Sequence, residues 1–266
     1  MRKYWFVFSL CLCVCLLTLN AVSAFAQGTP SSKATAAINT SVSCVVKGTS
    51  NIGETVPIDC KDIFSGDAVN VTPDNFAEIM KTTVKVSNSQ SLFVSPSLVT
   101  GLYTNTKTKT SPGTTSIATA LGSVYMRAVL KDSAGNVVKI GYPVAVCTSD
   151  ILGCQSDANN HFGVILDSRV QTLSQSLSDC VVNVGTTTGT CTFDSTIGLI
   201  LQTTSAHTFN LIFPNVGVGV YTLSVQAAVK ADGMIGAGSG TAIGAAAFGL
   251  GSVTVDSVRL VHDFSF

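Results

Sequence analysis

Acid–base chemistry near neutral pH would turn on the three histidines of this 266-residue sequence, His161, His207 and His262. A serine hydrolase needs a strained turn that presents the nucleophile, a histidine base and an orienting acid. No Gly-x-Ser-x-Gly occurs, the histidines lie far apart, and His207 heads a strand-like run that suits a structural role. Asp132, Asp150, Asp157 and Asp194 lie in turn-like settings, where a carboxylate ordinarily serves the turn itself. The expectation is therefore no catalytic residue. Asp157, Asn159 and Asn160 form an oxygen-rich cluster that is a weak calcium candidate. His161 and Phe162 break the calcium-loop spacing, and a polar turn beside Cys154 is the competing account. Gly236 to Gly240 lacks the Gly-Lys-Ser/Thr ending of a phosphate loop, so no cofactor is implied.

Cysteine is the remaining reactive type, and its meaning depends on compartment. Arg2 and Lys3 precede an uncharged, mostly apolar run from Tyr4 to Leu19, and small residues around Ala24-Phe25-Ala26 follow. This pattern reads as a secretory signal over residues 1–26, cleaved before Gln27 or, alternatively, after Ala24. An uncleaved anchor would need about 20 apolar residues, and Thr18, Asn20 and Ser23 interrupt the run. Cleavage removes Cys11, Cys13 and Cys15 and leaves Cys44, Cys60, Cys147, Cys154, Cys180 and Cys191. An even set of cysteines in an exported chain favours disulfides. Spacing suggests the local bridges 44–60, 147–154 and 180–191, although six cysteines allow about 15 connectivities. No pair is close enough for a zinc knuckle.

Loss of Arg2 and Lys3 leaves 13 basic against 15 acidic side chains. That balance offers no footprint for nucleic acid. The sole tryptophan, Trp5, also leaves with the signal.

The elements that must carry these residues read almost entirely as strands. Ser123 to Lys131 alternates with period two, and Asp132 to Asn136 forms a turn into Val137 to Val146, a hairpin in which Gly135 supplies a positive φ. His207 to Pro214 and Gly219 to Val229 alternate likewise and are expected to pair. Ser252 to His262, apolar on both faces, reads as a strand inside a packed sheet. One short helix is expected where Thr72 can cap, Pro73 can start the turn, and Phe76, Ile79 and Met80 form a helical stripe.

These patterns predict an all-β fold, a single antiparallel β-sandwich, jelly-roll-like or Ig-like, over residues 41–266. Residues 27–40 read as a flexible lead-in. The uncharged Gly233 to Val255 reads as a glycine-rich connection between strands, with membrane or partner contact as the lesser account. The run from Glu78 through Thr110, the strand Val124 to Leu130, and Ser168 to Ser174 resemble a group of uncharacterised secreted β-rich proteins, which implies a shared fold and no activity.

Charged residues make up only 11% of the chain and mean hydropathy is +0.45, so uncharged surface and uncharged strand edges are expected. The function expected first is that of a secreted or cell-surface structural or adhesive protein, whose partners are other protein chains or its own copies. A carbohydrate- or small-ligand-binding module is the alternative. It would show Tyr103, Tyr125, Tyr142 or Tyr221 side by side on an exposed face. Less weight falls on an outer-membrane β-barrel, suggested by alternating Leu260, Phe264 and Phe266.

Overall fold

The computed structural model describes residues 34–55, 58–63, 68–70, 76–143, 163–178, 181–184, 187–190 and 193–258. Two antiparallel sheets face each other without closing into a barrel. The first sheet contains β1 (Ala34–Ser50), β2 (Ala68–Asn70), β4 (Gln90–Thr110), β10 (Ser195–Thr208), β11 (Leu211–Val216) and β13 (Ser239–Val258), in the order β10–β4–β13–β1–β2, with β11 continuing the β10 side of β4. Its short β2 pairs parallel with β1. The second sheet contains β3 (Ala77–Val86), β5 (Thr115–Lys131), β6 (Val137–Ile140), β7 (Val164–Ser176) and β12 (Gly219–Ala237), in the order β3–β12–β5, with β6 and β7 sharing the far side of β5. A separate ribbon joins β8 (Val181–Val184) to β9 (Thr187–Thr190). The only helix among the described residues is the single turn α1 (Cys60–Ile63). The expected β-sandwich is thus the fold.

Period-two alternation builds the core. Leu92, Val94, Leu98 and Leu102 of β4 meet Val124, Met126, Ala128 and Leu130 of β5, with Phe213, Leu223 and Phe248 buried among them. The hairpin at Asp132 forms as its residues predict. Asp132 accepts the backbone N–H groups of Ala134 and Asn136, and Gly135 takes φ +87°.

Four expectations change. Residues 77–86 form a strand, not the helix expected there, because Thr82, Thr83, Val84 and Val86 continue a β-branched run that pairs with β12 from Gly219 to Ala227. A bulge opposite Val225 and Gln226 reverses the parity. Met80 therefore enters the core while Phe76 lies outside on Tyr125 and Ala228, a split that imitates a helical stripe. Within the expected lead-in of 27–40, Ala34 to Asn39 are already strand, paired with Asp256 to Gly251, while residues 27–33 lie outside the described residues. His207 to Pro214 does not pair with Gly219 to Val229. The chain breaks between β10 and β11, both of which join β4, while β12 crosses to the other sheet, so that Phe213 and Leu223 enter one core from opposite sheets.

The fourth change concerns Gly233 to Val255, which is a hairpin of long strands rather than a connection. Its turn lies at Gly238, φ +66°. β13 runs between β1 and β4, and Ala242 to Gly249 are buried, so this part of the segment presents no surface to a membrane. Glycine is required here by space. A Cβ on Gly244 would stand 1.9 Å from the Leu121 carbonyl oxygen and 2.5 Å from that of Asp232. One on Gly233 would stand 2.1 Å from the Ala242 carbonyl oxygen. The two sheets touch backbone to backbone at this pinch, well inside the ~10 Å usual between packed sheets.

Candidate functional site: an uncharged lateral edge and its polar seam

The residues singled out for chemistry do not converge on one site. Cys44 and Cys60 are disulfide-bonded, with Cα atoms 5.8 Å apart. The bond holds α1 over the outer face of β13 and β4, where Ile63, Tyr103, Ile243, Ala245 and Ala247 make a satellite core. Cys147, Cys154, Cys180, Cys191, the calcium candidate Asp157, Asn159 and Asn160, His161, His262 and the terminal aromatics lie outside the described residues. Among the described residues no group of three or more His, Cys, Asp or Glu could hold a metal ion.

Tyr103 and Tyr125 build no exposed platform. Tyr103 is buried under α1, Tyr125 is buried on the outer face of the other sheet beneath Phe76, and Tyr142 bridges to β11 through its backbone. Burial pushes the phenols of Tyr103 and Tyr125 up.

A serine, a histidine and an aspartate do meet. Ser205 Oγ lies 2.7 Å from His207 Nε2, which lies 3.4 Å from Asp167 Oδ2, and Thr100 Oγ1 donates to the same carboxylate oxygen at 2.6 Å. Both partners address one ring nitrogen. A triad needs the serine on one nitrogen and the acid on the other, so that the imidazole accepts and donates in line. Here Nε2 serves one partner at a time, which is the geometry of a structural tether between β10 and β7.

That tether belongs to a longer seam. The inward face of β4 changes from leucine to threonine along its length, and Thr100, Thr104, Thr106 and Thr108 are all fully buried. Facing them, β7 presents Asp167, Gln171 and Gln175. Thr104 donates to Gln171 Oε1 at 2.7 Å, and Gln171 Nε2 donates to Thr106 Oγ1 at 2.6 Å and to the Leu199 carbonyl of β10 at 2.7 Å. Thr108 donates to Gln175 Oε1 at 3.0 Å. Buried hydroxyls and amides are tolerable because they satisfy one another. Arg169 Nη2 adds a bond to Thr203 Oγ1 at 2.8 Å.

The seam lies behind an unusual edge. β10 pairs with β4 along all fourteen residues and, among the described strands, with nothing on its other side. It contains no Asp, Glu, Lys or Arg. Ile197, Leu199 and Leu201 on its inward side are 41–47% exposed, and Ile200 on its outward side is 60% exposed. Beneath it, β7 is an edge of the second sheet and exposes Val170 and Ile165. Natural proteins blunt free edges with charge, bulges or cover. The opposite lateral edge follows that rule, since β3 carries Glu78, Lys81 and Lys85, and β1 is covered by β2. Apolar residues at consecutive positions 199, 200 and 201 were the sequence signal for this edge, because a half-buried strand would alternate.

No protein-family model and no curated protein matches the chain. Among solved structures, those of infectious bursal disease virus, Gx and Gt strains, align with TM-scores of 0.18 and 0.17 at 9% and 10% identity, over 85% and 87% of this chain. The chain spans 40% and 43% of those viral chains, and alignments this loose carry no argument about fold or function.

Proposed function

We propose that this chain is a secreted or cell-surface structural or adhesive protein that works through contacts with protein chains, its own copies included. The observation that carries this reading is the long, uncharged, doubly exposed β10 edge, a template for strand addition that no described strand pairs on its outer side, while the opposite edge carries charge or cover. The Cys44–Cys60 disulfide is consistent with an oxidising, extracytoplasmic environment and supports export after removal of residues 1–26. The test is the mass in solution of the oxidised mature protein across a wide concentration range, with electron microscopy for higher assemblies. Association that grows with concentration is expected. A strictly monomeric species throughout contradicts the proposal of self-contact.

A further inference from the structure

Resting on that contact role for the edge, we infer that its occupant is a second copy of this chain, docked β10 to β10, antiparallel about a twofold axis at Leu199. An isologous contact needs one patch that complements itself. With the axis at Leu199, residue i of one copy faces residue 398 − i of the other, so Leu199 faces itself, Ile197 faces Leu201, and Ile200 faces Gly198. On the inward side this joins Ile197, Leu199 and Leu201 of both copies into one apolar strip, all six side chains being 41–47% exposed in the single chain.

On the outward side each Ile200, 60% exposed, lies over the partner's Gly198, where the missing side chain leaves room. Beyond these, Gln202 faces Thr196 and Thr203 faces Ser195, polar pairs suited to a rim. Along the paired strands no like charges meet, because β10 carries none of Asp, Glu, Lys or Arg. A shift of one residue either way in the pairing sum would set inward side chains against outward ones and divide the apolar strip between two faces.

Size permits a stable pair. A nine-residue overlap, 195–203, is about 30 Å long at the antiparallel strand rise. Across an edge two sheets thick, about 20 Å, it covers roughly 600 Å² per copy, so about 1,200 Å² in all, the lower end of specific interfaces. Main-chain pairing would add about one hydrogen bond per residue of overlap, near the number typical of such interfaces. The seam behind β10 keeps the edge ordered before docking. Gln171 holds the Leu199 carbonyl, and Arg169 holds Thr203.

The experiment compares the oxidised mature protein with its Leu199→Lys, Ile200→Lys and Ile38→Lys variants by light scattering, with near-ultraviolet circular dichroism to confirm that each is folded. Ile38, 75% exposed on β1, serves as a surface control far from the edge. The expected result is a dimer for the parent and for Ile38→Lys, and at least a tenfold weaker association for the two β10 variants. Separately, Leu199→Cys is expected to give a covalent dimer under mild oxidation, and Leu201→Cys much less.

Association that survives both β10 substitutions, association into open-ended assemblies, or faster cross-linking at 201 than at 199 overturns the inference while leaving a contact role intact. A parent protein that is monomeric at every concentration overturns self-contact of any kind, and this inference with it. Because Ile200 is 60% exposed on the outward face, its lysine variant keeps the test decisive even if Leu199→Lys fails to fold.

Discussion

Replacing Gly244 by alanine adds one methyl group at the point where the sheets touch. Gly244 has no positive φ, so backbone strain plays no part and the effect is one of space. The new Cβ would lie 1.9 Å from the Leu121 carbonyl oxygen and 2.5 Å from the Asp232 carbonyl oxygen, and either separation must grow by roughly an ångström. Both obstacles are main chain, one in β5 and one in β12, and each is fixed by its own ladder. Overpacking costs about 1–3 kcal/mol where side chains can give way, and backbone on both sides puts this case at the top of that range.

A loss of about 3 kcal/mol corresponds to a melting point lower by roughly 6–12 °C for a chain of this size. Gly236→Ala is the matched control in the same hairpin. Its Cβ would meet Ile117 at an ordinary 3.7 Å. Alanine in a strand gains about 0.5–1 kcal/mol over glycine, so this variant is expected to melt at or slightly above the parent. Thermal unfolding followed by circular dichroism separates the two. If Gly244→Ala melts within about 2 °C of the parent, or if the two variants lose stability equally, the backbone-to-backbone pinch is wrong.

Three further outcomes follow from single interactions. Replacing Cys44 and Cys60 opens a loop with a sequence separation of 16. This should cost about 3 kcal/mol in calorimetry, and non-reducing peptide mapping checks the bond directly. Gln171→Leu leaves the Thr104 and Thr106 hydroxyls and the Leu199 carbonyl without their partner, at about 1–3 kcal/mol for each group left dry. Faster amide exchange confined to β10 and β4 is its signature, and uniform exchange would refute the seam. The hydrogen bonds of Lys131 and Ser224 to Glu78 hold its carboxyl below the usual 4.5. A depressed folded-state value means that its stabilisation is complete above pH 4.5 and is lost as pH falls through the lower folded value. Glu78→Gln should therefore melt below the parent at neutral pH, with the gap closing in acid. A gap that stays constant with pH would exclude the linkage.

Much of the sandwich was legible where one physical cause acts on one residue. Alternation over Ser123 to Lys131 gave β5, and Asp132 with Gly135 gave its turn, because both signals are local. Errors arose where two local signals conflicted or where the deciding partner was remote. The caps around Thr72 spoke for a helix, but β12, over 130 residues away, pairs with the segment that follows and holds it extended. The glycines at 233, 240 and 244 carry no label saying whether they provide freedom or room, and only the facing carbonyls of Leu121, Ala242 and Lys107 decide for room. Ser205 and Asp167 were not legible as neighbours of His207, since the contact depends on which strand of the second sheet lies beneath β10.

The polar seam and the open edge make sense together. An edge strand with a single hydrogen-bonded neighbour frays easily, and ordering it on docking would cost about 0.5–1.5 kcal/mol for each immobilised side chain. An apolar cushion beneath β10 would hold it without fixing its register. Gln171 instead reaches from β7 to two threonines of β4 and to the main chain of β10, binding three strands from two sheets at one side chain. The Asp167–His207–Ser205 group repeats the device about two turns of the pleat away. Directional bonds thus order an edge whose outer surface is left apolar, and in the proposed β10 dimer the burial of polar groups that would weaken an ordinary core would reduce what each partner strand must order.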